Sequence, residues 1–147
     1  MMGSNHRRAR EDCKTKTPRV GVLLSRRWKK VNLEEKFAAF TEHWRPKIVG
    51  ELNGQEVKVV KFQGVFPWHQ HESEDELFLV WRGRMRVEFR DLIAELNTGE
   101  FLVVPHGIAH RTAADEEAEV VLFEPAATRN TGSAAESEFT APDGVRQ

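Results

Sequence analysis

Two segments of the chain carry residues that could do chemistry together. WHQHESEDELFLVWRG holds His69, His71 and Glu76, and GEFLVVPHGIAH holds His110. Imidazole nitrogens and a carboxylate oxygen are ligands for a borderline or hard divalent ion. In an extended chain side chains alternate, so His69 and His71 project from one face, about 6–7 Å apart along the chain. That spacing lets both imidazoles converge on one ion. Glu76 follows a polar turn, opens the next strand and returns a carboxylate to the same place, after which Gly83 closes a hairpin. In the second segment Gly99 supplies a turn, Phe101–Val104 a strand and Pro105-x-Gly107 a tight bend. The chain then turns back as a strand carrying His110, the route by which a third nitrogen ligand would arrive from a neighbouring strand. Each residue alone has an ordinary reading, as a packed or exposed strand histidine or a solvated carboxylate. The four in matching register point to a metal centre.

Short strands have to position these groups. Residues 17–32 read as a lead-in, with one short strand at Val20–Leu24. Asn32 precedes LEEKFAAFTEHW, where Leu33, Phe37, Phe40 and Trp44 recur at helical spacing, so a helix is expected there. Asn32 is its N-cap, Glu35 completes an approximate capping box, and Pro46 ends it. His43, beside the apolar stripe, is read as a surface or packing residue. A strand over Lys47–Leu52, the hairpin pair Asn53-Gly54 and a strand over Gln55–Gln63 follow. In the last, Val57, Val59 and Lys61 share one face, and Val60 and Phe62 the other. Further strands are expected at Glu76–Trp81, Met85–Arg90, Leu92–Leu96, Phe101–Val104, Ala109–Ala113 and Val120–Phe123. Many short strands separated by turn residues predict an all-β antiparallel sandwich or barrel.

The paired motifs are specific. H-x-H-x4-E-x6-G spans His69–Gly83 and G-x5-P-x-G-x2-H spans Gly99–His110. Both appearing in order by chance is on the order of one in a million at ordinary residue frequencies. They resemble the two motifs of the cupin superfamily, whose first gives His, His and Glu and whose second gives His. The short spacer, residues 84–98, resembles compact microbial single-domain cupins. The WHxHxxxDE wording, with Trp68 and Asp75, resembles a small cupin-2 group sometimes labelled mannose-6-phosphate isomerase-like. The resemblance covers about residues 31–125. It implies a double-stranded β-helix, or jelly-roll, barrel with a short N-terminal helix, holding one divalent metal on His69, His71, Glu76 and His110. Two positions depart from the family pattern. The opening glycine is expected where Gln63 stands, one residue before Gly64, and Ala114 replaces an asparagine that often follows the second-motif histidine. Neither is a ligand position.

Around these motifs, His106 is expected to face solvent at the barrel mouth, and Asp75, of opposite strand parity to Glu76, to sit on the rim. Phe62, Phe78, Val80 and Phe123 are expected to furnish the apolar walls that small-ligand sites have. The ion could be Mn, Fe, Ni, Co or Zn, since affinity order alone does not choose among them. An open coordination position would serve oxygenase- or isomerase-type chemistry on a small oxygen-rich metabolite. The other reading is a non-catalytic module binding a sugar or similar small molecule, because no general acid or base beyond the ligands is evident.

Composition bounds the rest. At 147 residues, 39% hydrophobic and 31% charged, one globular domain with polar tails is expected. The only cysteine, Cys13, permits neither an internal disulfide nor a multi-cysteine zinc site. No run approaches the roughly 20 apolar residues of a membrane helix, and Val20–Leu24 is shorter than the roughly 7–15 of a secretory h-region. A cytoplasmic protein without membrane partners is expected. Residues 1–30 carry ten Lys/Arg and two Asp/Glu, a balance of +8 against −9 for the remainder. This basic tail and lead-in is read as disordered at its start rather than nucleic-acid-binding, since no helix-turn-helix pattern accompanies it. Residues 31–125 are assigned to the barrel and 126–147 to a C-terminal tail, with at most one strand against the barrel. Trp28, Trp44 and Trp81 are read as exposed aromatics suited to a homodimer interface.

Overall fold

The structure is a computed structural model, and it describes residues 29–147. The Val20–Leu24 strand, Trp28 and Cys13 lie outside the described residues. Chain order is a helix, α1 (Leu33–Ala38), then seven strands: β1 (Lys47–Leu52), β2 (Gln55–Val65), β3 (Glu76–Arg82), β4 (Arg84–Phe89), β5 (Ile93–Asn97), β6 (Phe101–Val104) and β7 (His110–Pro125). All strand pairs between these elements are antiparallel. The fold is the all-β antiparallel architecture that the strand pattern predicts, with one short helix on its N-terminal side.

The β1–β2 hairpin turns at Asn53 and Gly54, both with positive φ, the backbone a tight primed turn demands. β2 then presents two faces, as its alternation predicts. Val60 and Phe62 enter the inner core with Phe78, Val80, Val120 and Leu122. Val59 faces outward, where Phe37, Phe40, Val49 and Val121 form a second cluster under the helix. Lys61 shares that outer face and lies 5.5 Å from the centre of the Phe40 ring.

β7 corrects the expectation of two strands at Ala109–Ala113 and Val120–Phe123. It is one strand of 16 residues. Its first half pairs with β4, Val87 opposite Thr112, and its second half with β3, Leu79 opposite Val121. β2 pairs with both halves, and the register slips so that Phe62 faces Ala118 but Gly64 faces Ala114. The two extra residues on β7 are accommodated at the exposed acidic run Asp115–Glu117. Such a bulge bends a strand without ending it. Three consecutive acids look like a loop in sequence and act as a solvated kink.

The helix is also shorter than expected, six residues instead of twelve. Asn32 caps it as expected, its side chain accepting from the Glu34 and Glu35 amides. The apolar stripe ends because Phe40 and Trp44 serve different cores. Phe40 stays outside the sheet, whereas the chain at Trp44 takes a positive φ of 60° and sends the indole to the inner core. There Trp44 stacks on Phe62 at 4.5 Å, and its Nε1–H donates to the Gln63 carbonyl at 3.1 Å. Trp44 is therefore buried and is not an exposed interface aromatic; Trp81 is 39% exposed.

Residues 126–147 carry no named strand, but they pack closely on the barrel. The Ile48 amide donates to the Val145 carbonyl and the Gln147 amide to the Ile48 carbonyl. Phe139 sets its ring edge-on to Phe66 at 5.4 Å. No helix among the described residues is long and apolar enough to cross a membrane.

Candidate metal centre

The four sequence-nominated residues meet at one point. His69, His71, Glu76 and His110 each offer a ligand atom, and these atoms lie within 4.8 Å of one another. All four side chains are buried, with exposures of 6%, 4%, 4% and 1%. His110 opens β7 and Glu76 opens β3. His69 is held by an isolated antiparallel bridge to His110, with reciprocal amide–carbonyl bonds of 3.0 and 2.9 Å. The backbones of two candidate ligands thus fix each other, and their rings stand 4.4 Å apart. The segment carrying His69 and His71 is extended and otherwise outside any strand, and it places their rings 5.2 Å apart.

Each of two imidazoles is oriented by the carbonyl two residues before it. His69 Nδ1–H donates to Pro67 at 3.0 Å and His110 Nδ1–H to Ile108 at 2.9 Å. These bonds leave Nε2 free to face the centre, the arrangement by which a second ring nitrogen fixes a metal-ligating tautomer. Sequence gave no sign of these partners because they are backbone atoms. Toward the centre, His71 Nε2 and His110 Nε2 approach the same Glu76 Oε2 at 3.2 and 3.7 Å. None of these three atoms makes a well-formed hydrogen bond, although each is fully buried. Buried polar atoms left unpaired are costly, so three that face one another call for a common partner. The donor set of three nitrogens and one carboxylate fits a divalent cation.

The electrostatics favour the same species. Burial first, and the neighbouring His110 ring second, lower the His69 pKa from 6.5 to about 4. The imidazole is then neutral and ready to ligate at neutral pH. Burial alone would raise the Glu76 carboxyl, but the facing His110 and His71 imidazoles outweigh it and hold the group well below the usual carboxylate range. One pH dependence follows. Below pH 6.5 the unfolded chain accepts a proton at His69 that the folded chain refuses until about pH 4, so the contribution of His69 to metal-free stability falls across that window. Between pH 7 and pH 5, urea unfolding is expected to show the parent changing unfavourably by about 2 kcal/mol relative to His69→Gln, the difference cancelling the titration of other groups such as Glu124. Equal changes in both proteins would show that His69 titrates normally.

The remaining sequence expectations divide. Phe62, Phe78 and Val80 are inner-core residues, as expected. Phe123 is not: its parity turns it outward, and Leu122 takes the inner position. Asp75 lies on the rim and clasps His106, accepting from its backbone amide at 2.8 Å and facing its Nδ1 at 2.7 Å. His106 is exposed, as expected for the mouth. His43 is a surface partner of Glu117, with its Nε2 2.8 Å from the carboxylate.

Sequence reading missed a second buried polar group on the inner face. Lys58 Nζ lies 3.1 Å from Glu56 Oε2 and 2.8 Å from Glu124 Oε1, and all three side chains are under a tenth exposed. Their parity was available: Lys58 alternates with Val60 and Phe62, and Glu124 with Leu122. The β3–β7 register, with Leu77 opposite Phe123, continues to set Glu124 directly across from Glu76. Burial, with the Glu76 carboxylate next, pushes the Glu124 carboxyl up to about 8 against the pull of Lys58.

Relatives of known sequence and structure agree with this reading of the fold. The family described as "Cupin domain" matches residues 56–124. A cupin-2 domain containing protein from Shewanella frigidimarina, known as a crystal structure, is 39% identical, with a TM-score of 0.64 over 65% of this chain and 93% of that one. The chain belongs to the cupin family. Protein NMB1881 from Neisseria meningitidis is 31% identical to this cupin, with a TM-score of 0.62 over 67% of this chain and all of that one. An uncharacterized protein of Bacillus subtilis, YdbB, is 35% identical over 81 residues, 54% of this chain and 66% of that relative. The four candidate ligands of this cupin lie on the part of the chain that the family match covers.

Proposed function

We propose that this cupin binds one divalent metal ion through Nε2 of His69, His71 and His110 and a carboxylate oxygen of Glu76, and uses it to hold a small oxygen-rich metabolite. The observation that carries this reading is the trio His71 Nε2, Glu76 Oε2 and His110 Nε2, buried, unpartnered and facing one another. When bound, the ion would supply Lewis acidity and a coordination position for a ligand oxygen. The chain's own residues do the rest. The Pro67 and Ile108 carbonyls aim the imidazoles, while Phe62, Phe66 and Phe78 keep the surroundings apolar and strengthen polar contacts at the centre. Chemistry of the oxygenase or isomerase type fits such a site. Non-catalytic binding of a sugar or similar molecule is the second reading.

Protein purified without chelators is expected to carry Mn, Fe, Ni, Co or Zn near one ion per chain, measured by inductively coupled plasma mass spectrometry. Turnover screens with each metal loaded separate the catalytic reading from the binding one. Under about a tenth of an ion per chain, with no uptake on titration near neutral pH, would remove the metal reading. We further propose a homodimer through the outer face of β3 and β6. The cross-strand pairs Leu77–Val103 and Leu79–Phe101 form an apolar row there, and Phe101 is 62% exposed.

A further inference from the structure

Residues beyond the family match lie directly against the candidate metal centre. The Ser133 amide donates to the Gln70 carbonyl at 2.9 Å, and the Gln70 amide donates to Ser133 Oγ at 3.2 Å. Gly132, with φ 46°, presses its backbone on the same place. A Cβ there would collide with the Gln70 carbonyl oxygen and lie 3.2 Å from Cδ2 of His69. Thr131 is fully buried. Asn130 closes the loop on itself, its Nδ2 donating to the Phe139 carbonyl at 2.8 Å and its Oδ1 accepting from the Ala141 amide at 2.9 Å. Arg45 reaches across from the barrel to the Glu138 carbonyl at 2.7 Å. Phe139 rests on Phe66, which in turn rests edge-on against His69 at 5.3 Å.

The space beneath this segment is small. The cavity that reaches His69 and Glu76 is lined also by Trp44, Phe62, Phe66 and Asn130, and has a volume of about 20 Å³. That is room for about one water molecule. With all four candidate ligands at most 6% exposed, anything larger needs part of the fold to move. The segment is the part best suited to do so. It is held by a few scattered hydrogen bonds and by Phe139 against Phe66 and Trp44 rather than by a strand ladder, and elements that gate sites are drawn from regions without one.

We propose that residues 128–140 form a strap over the metal centre, and that its opening limits exchange of the ion and access of the ligand. The proposal rests on the metal reading above. On the other side of the centre the Gly107 amide donates to the His71 carbonyl at 2.7 Å, and Asp75 clamps His106, so that rim is the competing route.

The test uses full-length protein carrying Cys13→Ser, loaded with Mn²⁺, and follows metal loss to excess EDTA. Loss is expected to reach a plateau rate as EDTA is raised, because opening and not collision is limiting. Gln70→Cys with Ser133→Cys puts two thiols on the backbone-bonded pair, to be joined as a disulfide by oxidation and verified by thiol titration. Oxidised, this protein is expected to lose metal roughly tenfold more slowly, and reduction is expected to restore the rate. Asn130→Ala, which unties the loop, is expected to speed loss by a similar factor. A rate linear in EDTA and equal in oxidised and reduced protein would overturn the strap. So would acceleration only in Asp75→Ala, which would place the route at the His106 rim. A protein that takes up no Mn²⁺ at the outset would instead overturn the metal reading, and the strap's role with it.

Discussion

Replacing His71 and His110 together by alanine is expected to drop bound divalent metal from near one ion per chain to below about a tenth, while His106→Ala leaves it unchanged. The contrast is demanding because all three histidines sit in or near the motifs. His71 and His110 are buried and direct Nε2 at the same Glu76 oxygen. His106 is exposed and turned toward Asp75 on the rim. Removing one imidazole leaves Glu76 and two nitrogens, enough for a weakened site; removing two leaves too few ligands to repay dehydration of the ion. The metal-free double variant is expected to unfold at a lower urea concentration than the metal-free parent, because Glu76 loses both imidazoles that face its buried carboxylate and His110 leaves a cavity. Equal metal content in the double variant and His106→Ala would place the ion elsewhere.

The second large effect concerns stability. Lys58→Met is expected to cost about 3–5 kcal/mol, because it strands Glu56 in the interior without a counter-charge and takes from Glu124 the ammonium that donates to it. Glu124 is 1% exposed, and its Oε2 has no hydrogen-bond partner even with Lys58 in place. Glu124→Gln is expected to be much milder, since Lys58 keeps Glu56 at 3.1 Å and a carboxyl already pushed toward its neutral form gives way to a neutral amide. Adding Glu124→Gln to Lys58→Met should recover part of the loss, a coupling that urea unfolding of the four proteins reads as a double-mutant cycle. A cost for Lys58→Met below about 1 kcal/mol would mean that water reaches the group.

Most of the architecture was legible because two-residue alternation is strong in this chain. The start of the β3 strand at Glu76 and the whole of Phe101–Val104 fall where pattern and turn residues put them. The ligand set was legible because motif spacing ties residues far apart in sequence to one point. Three features resisted for physical reasons. Trp44 keeps helical spacing from Phe40, yet the positive φ that diverts it is a tertiary effect that local pattern does not encode. Asp115–Glu117 carries the charge of a loop, and only pairing with β2 reveals a bulge within one strand. Lys58 and Glu124 follow the inward parity of their neighbours, but a charged residue in an inward position reads as solvent-facing until its counter-charge is known. The strap was the least legible, since residues 126–147 have no periodicity and their hold on the barrel is made by backbone groups, Asn130 and one phenylalanine.

The length of β7 also sets the order in which this molecule can be made. β2, β3 and β4 all pair with it, and its last residue is Pro125. Until that residue has left the ribosome, the earlier strands lack their shared partner and their inner faces have nothing to close against. Sheet closure therefore waits until synthesis of the barrel is nearly complete, and it joins segments some 60 residues apart in a single step. Such non-local pairing is slow, and it leaves open edges available to other nascent chains meanwhile. The kink at Asp115–Glu117 places three negative charges at the midpoint of that late strand. It is a built-in repellent against pairing with the same strand of another copy before the right partners are found.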